Sequence, residues 1–281
     1  MTGSAHSVTR GTRAGPVPTL PLFRRALVDH WRSTAAWTVG LAGAILLYLP
    51  LYPSIGNSPE MQDVVNALPP EMTKALNYDQ IASGPGYTQA TIFGLIGFLL
   101  VTIASVAWGA SAVAGDEESG QLELTLAHAV TRPQVVLERA LAMGVRIATL
   151  AAVVFVLVWI LNEPAQLGLE TQYLFGATVL FAGLGLLSGM TALFAGAVSG
   201  RKVYGLAAGT GVAVLSYVFN AVGRQSPDLG WLLNLSPYHW AYGNSPVANG
   251  ADWSAAAWLW GIAVALAGLS AVALHRRDVG I

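Results

Sequence analysis

Ser188 and Ser199 are each followed by glycine and stand in or beside long apolar runs, the setting an intramembrane serine nucleophile would need. Such a nucleophile requires a base within hydrogen-bond reach. The histidines do not supply one: the topology below puts His128 and His275 on one side of the membrane and His239 on the other. His30 is a lone imidazole on an amphipathic segment, too isolated for a metal role. The chain has no cysteine, so thiolate nucleophiles, disulfides and Cys-ligated metals are excluded. A phosphate-binding GxxxxGK[ST] motif needs a lysine that reaches the phosphates. The lysines are Lys74 and Lys202, the latter within SGRKV, and neither has the glycine spacing. One concentrated constellation remains, DEESGQLELTLAHAVTR at residues 116–132, which gathers four carboxylates and three leucines. That mixture suits binding rather than bond-making.

The elements that hold this segment are legible from composition. The 281 residues are 54% hydrophobic and only 10% charged, with mean hydropathy +0.55. A soluble domain carries about 25% charged residues, so lipid must be the second solvent. The net charge of −1 argues against a nucleic-acid partner, which calls for a basic patch. A helical crossing takes about 20 mostly apolar residues, and six stretches qualify, roughly 36–53, 88–113, 138–161, 172–198, 203–222 and 255–274. A barrel would instead show short alternating segments. The expected fold is therefore an all-α membrane protein, with a single transmembrane domain over 22–281 behind a flexible arm at 1–21. That arm is polar, with no apolar core of a signal peptide.

Basic residues orient the spans. With both termini cytoplasmic, twelve arginines and lysines fall inside and only Lys74 and Arg224 outside. Outside, residues 54–87 carry Met61, Val64, Val65 and Leu68 at helical spacing, broken by Pro69–Pro70, with a second short helix expected at 71–78. In LSPYHWAYGNSP, the rings of Tyr238, Trp240 and Tyr242 suit a membrane interface. Within the spans, ionisable groups are scarce: Arg146 is expected to snorkel toward the cytoplasm, and Glu163 lies just past the third span. Ion-coupled transporters keep acids or histidines at mid-membrane, and none is found here. The glycine pairs Gly185/Gly189, Gly196/Gly200 and Gly205/Gly209 have the GxxxG spacing that lets helices approach closely.

Two cytoplasmic segments are amphipathic. In LFRRALVDHWRS (22–33), Phe23, Leu27 and Trp31 share one face with Leu22, Ala26 and His30, while Arg24 and Arg25 take the other. That pattern describes a helix lying in the headgroups before the first span. In 116–132, Leu122, Leu126 and Ala129 form an apolar stripe, and the acids at its start favour a helix N-terminus. A solvated linker accounts for the charges but not for the leucines. A groove on a soluble partner accounts for both, whereas anionic headgroups would repel the acids.

This segment resembles the coupling helix of bacterial type-2 ABC exporter permeases, which reads approximately EEExGTLExLLAxPVSR. Glu117, Glu118, Gly120, Leu122, Glu123, Leu126, Val130 and Arg132 match it, while Gln121 replaces Thr and Ala129 replaces Pro. The ending LHRRDVGI is similar to the FxRRDLG with which these permeases often close. The amphipathic leading helix, six spans, helical outer segment and LSPYHWA fit the same pattern from about residue 20 onward. The resemblance implies a subunit in a bacterial plasma membrane, paired with a second permease as homo- or heterodimer, above separate ABC ATPase subunits that bind ATP and Mg. It implies no catalytic residue, cofactor or metal in this chain, and export of amphipathic or hydrophobic compounds such as drugs, antibiotics, lipids or peptides. The alternative is a non-transporting membrane scaffold or a membrane-embedded enzyme, which would have no ATPase partner.

Overall fold

A computed structural model describes residues 20–55, 58, 83–127 and 130–277. Residues 1–19 of the flexible arm expected at 1–21, the helices expected around Met61–Leu68 and at 71–78, and His128 and Ala129 of the 116–132 segment lie outside the described residues, as does the end of the C-terminal motif.

All described regular structure is helical. Six helices are long and apolar enough to cross a membrane: Trp31–Ser54, Gly84–Glu118, Arg132–Leu161, Thr171–Ser199, Lys202–Gly223 and Trp253–Arg276, here spans 1 to 6. The physical reason is that a lipid-embedded backbone must satisfy its own N–H and C=O groups, which a helix does within one segment. The helices run a few residues beyond the apolar stretches read from sequence, and the N-cap side chains of spans 2, 3 and 6 hold their first turns. Ser83 Oγ accepts from Gly86 N–H at 3.1 Å to start span 2, and Asp252 Oδ1 accepts from Ser254 N–H at 2.9 Å to start span 6. The Ser254 hydroxyl and the two backbone N–H groups hold the Asp252 carboxyl below the usual carboxylate range. Gly200 ends span 4 in the left-handed region, at φ +71°. That corrects its expected place on a packing face: Gly200 is a helix C-cap, where a residue without Cβ is favoured.

Span 4 is the centre of the bundle, with 78% of its most apolar window buried, against 17% for span 1 and 28% for span 5. Small residues make this possible. An added Cβ at Gly185 would stand 2.9 Å from Val101 Cγ2 of span 2, and at Gly189 3.1 Å from Met143 Sδ of span 3. At Gly196 the neighbour is Ala114 Cβ of span 2, at 3.3 Å. From span 5, Cβ atoms at Gly205 and Gly209 would meet Ala192 O at 2.7 Å and Ala192 Cβ at 2.8 Å. Lipid is as apolar as leucine, so close backbone approach and packing hold such helices together.

Span 2 is not regular. Gln89–Ile96 and Ser111–Gly115 are π-helical, interrupting the α-helix at both ends, a distortion that clusters at functional sites. The upper one meets the segment expected at the membrane interface, and here the structure corrects the sequence. Tyr238 and Tyr242 are buried, at 6% and 2% exposure. The Tyr238 ring packs on Phe98, Tyr217 and Tyr242 with centroids 5.1–5.2 Å apart, and its hydroxyl donates to Gly94 O at 2.8 Å. Burial pushes this phenol well up, and Tyr217 adds to it. A tyrosine with a polar partner for its O–H gains more in the core than in headgroups. Arg146 is a second correction. It turns inward, 7% exposed, rather than snorkelling.

Candidate functional site

The 116–132 segment is two pieces. Asp116, Glu117 and Glu118 do not begin the connecting helix; they finish span 2. A helix C-terminus carries partial negative charge, so three carboxylates there need compensation, and each finds it on a different element. Asp116 Oδ2 pairs with Arg139 Nη2 of span 3 at 2.5 Å. Glu117 Oε2 pairs with Arg277, just past span 6. Glu118 Oε1 accepts from the backbone N–H of Lys202, the first residue of span 5, at 2.9 Å, so it caps the positive end of that helix. Arg139 also donates to Ala112 O, and Arg132 Nη1 donates to Arg277 O at 2.6 Å. The carboxylates thus key the end of span 2 to spans 3, 5 and 6. Arg132, Arg139, Lys202 and Arg277 gather at this end of the bundle, together with the start of the N-terminal helix.

Gly120, at φ +72°, turns the chain sharply, and a short helix follows at Gln121–Leu126. Leu122 is fully buried in the bundle and Leu126 packs against its core. The expected stripe therefore faces this chain's own spans and anchors the short helix, rather than being presented to a partner. Leu124 is 66% exposed, and Gln121 and Glu123 are exposed beside it. This outward face was only half visible in sequence: Leu124 lies two residues from both stripe leucines, about 200° round a helix.

The N-terminal helix, Pro21–Asp29, packs along span 3. Phe23 N–H donates to Glu138 Oε2 at 2.8 Å, while Gln134 Nε2 donates to Glu138 Oε1 at 2.7 Å. Phe23 and Leu27 are half-buried, Arg24 and Arg25 are exposed, and Trp31, which begins span 1, is 59% exposed. Glu138 is the anchor that sequence reasoning missed. It is 3% exposed yet sits at the edge of an apolar run, where it reads as one more end charge. Its signal was that span 3 tolerates an acid nearly two turns inside its start at Arg132.

Among the described residues, the serines set aside above have no histidine hydrogen-bonded to them: His239, the nearest imidazole in sequence to span 5, pairs with Asn220 instead. Ser199 Oγ donates to Ala195 O at 2.6 Å, and Ser188 is buried where spans 4 and 5 touch. His239 lies at the opposite end, its Nδ1 3.2 Å from Asn220 Oδ1. Burial, reinforced by Arg224, holds its imidazole below the ordinary histidine range.

A comparison with curated proteins finds no match. A comparison with protein families does: the model of the ABC-2 family transporter proteins matches residues 20–279, which takes in the N-terminal helix, all six spans and the keyed carboxylates. The chain belongs to the ABC-2 family and is a multi-pass membrane permease of an ABC transporter.

Proposed function

We propose that this permease exports amphipathic or hydrophobic compounds across a bacterial plasma membrane, driven by ATP and Mg on separate ATPase subunits. Two permease chains, identical or related, enclose the pathway, with both termini and residues 116–132 in the cytoplasm. The short helix is the coupling helix. The observation that carries this reading is the division of labour in that segment. Leu122 and Leu126 root the helix in the bundle, while Gln121, Glu123 and Leu124 face outward. An exposed leucine rimmed by polar groups is what a groove on a soluble partner takes up.

The acids immediately before it give the helix something to move. A push at Leu124 reaches Gly120 and then Glu117 and Glu118, which are bonded to the end of span 6 and the start of span 5. ATP-driven closure of the ATPase pair would shift spans 2, 5 and 6 together, a rigid-body route to alternating access. The spans carry few charges apart from the buried Arg146 and Glu138 near one end, which suits apolar cargo better than ions.

The test is Leu124→Glu in the reconstituted transporter. The variant should insert and fold as wild type but lose co-purification with its ATPase and lose ATP-dependent export. Retained ATPase binding with wild-type export would overturn the assignment.

A further inference from the structure

A cavity of about 900 Å³ lies where the N-terminal helix meets spans 2 and 3 and the short helix, within the range of ligand-sized cavities. Leu22, Ala26, Ala142 and Met143 give it an apolar wall. Arg25, Arg139 and Arg146 also line it, with Asp29 and Asp116. Two of these arginines are neutralised within the cavity: Arg25 pairs with Asp29 at 3.2 Å, and Arg139 with Asp116 at 2.5 Å. Arg146 makes no ion pair among the described residues.

Arg146 is nonetheless the most buried of the three, at 7% exposure. Its Nε donates to Thr34 Oγ1 at 2.8 Å, and its guanidinium carbon lies 3.7 Å from the centroid of the Trp108 ring. Trp108 is itself fixed by an indole N–H donated to Ser33 Oγ at 3.0 Å. Arg146 Nη2 is buried and has no hydrogen-bond partner among the described residues. Of the other acids on the surrounding elements, Glu138 is committed to Phe23 N–H and Gln134, Glu117 to Arg277, and Glu118 to Lys202 N–H, while Glu123 is exposed on the short helix and does not line the cavity. A desolvated cation held in one orientation, with one donor unused, is costly unless an anion completes it. The aromatic face offsets only part of that cost.

We infer that this cavity binds an anionic amphiphile, a phosphate-bearing headgroup on Arg146 with its apolar tail along Leu22, Ala26 and Met143, supplied by the anionic phospholipid of the surrounding leaflet. The guanidinium fork suits an oxyanion better than an ammonium would. This site belongs to the single chain and does not depend on the transport reading or on an ATPase partner.

The test is native mass spectrometry of the full chain in detergent, titrated separately with phosphatidylglycerol, phosphatidylcholine and inorganic phosphate. Wild type should retain phosphatidylglycerol in preference to phosphatidylcholine. Arg146→Met, which keeps the apolar stem, should lower that preference by about tenfold or more, the worth of a hydrogen bond to a charged group. Ala26→Phe fills the cavity without touching any charge, and should displace the lipid even if the arginine variant does not fold. Equal retention of the two lipids, undiminished phosphatidylglycerol in both variants, or equal occupancy by phosphate alone would each overturn the inference.

Discussion

Gly209 and Gly211 lie two residues apart on span 5, yet a methyl group added to each would meet different surroundings. At Gly209 the new Cβ would stand 2.8 Å from Ala192 Cβ, 2.9 Å from Ser188 O and 2.9 Å from Val106 Cγ2. Carbon atoms rest at about 3.5–4.0 Å, so roughly 0.7 Å or more must be recovered on two sides at once. Neither Ala192 nor the Ser188 carbonyl has a rotamer to yield, and both belong to the central helix of the bundle. Overpacking of this kind costs about 1–3 kcal/mol. At Gly211 nothing lies within 4 Å, and replacing glycine by alanine inside a helix contributes about 0.5–1 kcal/mol. Gly209→Ala should therefore destabilise relative to Gly211→Ala, which should be neutral or mildly stabilising; the helix-propensity gain is common to both, so the spread is the overpacking cost of about 1–3 kcal/mol. Reversible unfolding in mixed micelles by SDS titration, followed by circular dichroism, measures the spread directly. Equal midpoints for the two variants would refute the claim that spans 4 and 5 are held by close backbone approach. A Gly211→Ala loss larger than that of Gly209→Ala would place the packed face of span 5 elsewhere.

Other perturbations probe the remaining contacts. Removing two acids of the coupling segment, Glu117→Ala with Glu123→Ala, should uncouple ATP hydrolysis from export in proteoliposomes; wild-type export with unchanged ATPase binding would contradict the proposed role. Glu138→Ala takes the acceptor from Phe23 N–H, a loss of about 1–3 kcal/mol for a buried donor left unsatisfied, so trypsin should cut faster at the exposed Arg24 and Arg25; an unchanged cleavage rate would mean that span 3 does not anchor the N-terminal helix through this carboxylate. Tyr238→Phe removes the bond to Gly94 O and should cost about 1 kcal/mol in the same SDS titration. His239 is held below its ordinary pKa of 6.5 when folded, so the unfolded chain binds more protons. Its contribution to stability is complete above that value and is lost as pH falls from there through the lower folded value. His239→Gln should flatten the acid limb of the stability profile, and an unchanged limb would show that another group controls it.

Composition and periodicity alone were enough to place the six spans in order and to show that segments 22–33 and 116–132 are amphipathic. Those features follow from solvent: a continuous apolar run has few alternatives to a helix in lipid, and GxxxG spacing fixes which residues can sit at a close crossing. Gly185, Gly189, Gly196, Gly205 and Gly209 sit at close helix crossings for that reason. What a residue touches on another span is not written in local pattern. Glu117 and Glu118 read as the start of a surface helix, yet tertiary structure makes them the end of span 2, joined to residues 160 and 84 positions away. Leu122 reads as a docking knob and becomes a root. Tyr238 and Tyr242 read as interface rings, yet both are buried: Tyr238 finds a hydroxyl partner on span 2 and ring partners on spans 2 and 5, and Tyr242 packs on the Tyr238 ring. Arg146 reads as a charge that reaches for the headgroups and Glu138 shows no partner in the local pattern, while only the packed bundle could give one a tryptophan face and the other a backbone amide. Polarity along the chain sets which segments enter the membrane, and the long-range pairing of a few charged and aromatic groups sets how they lock together.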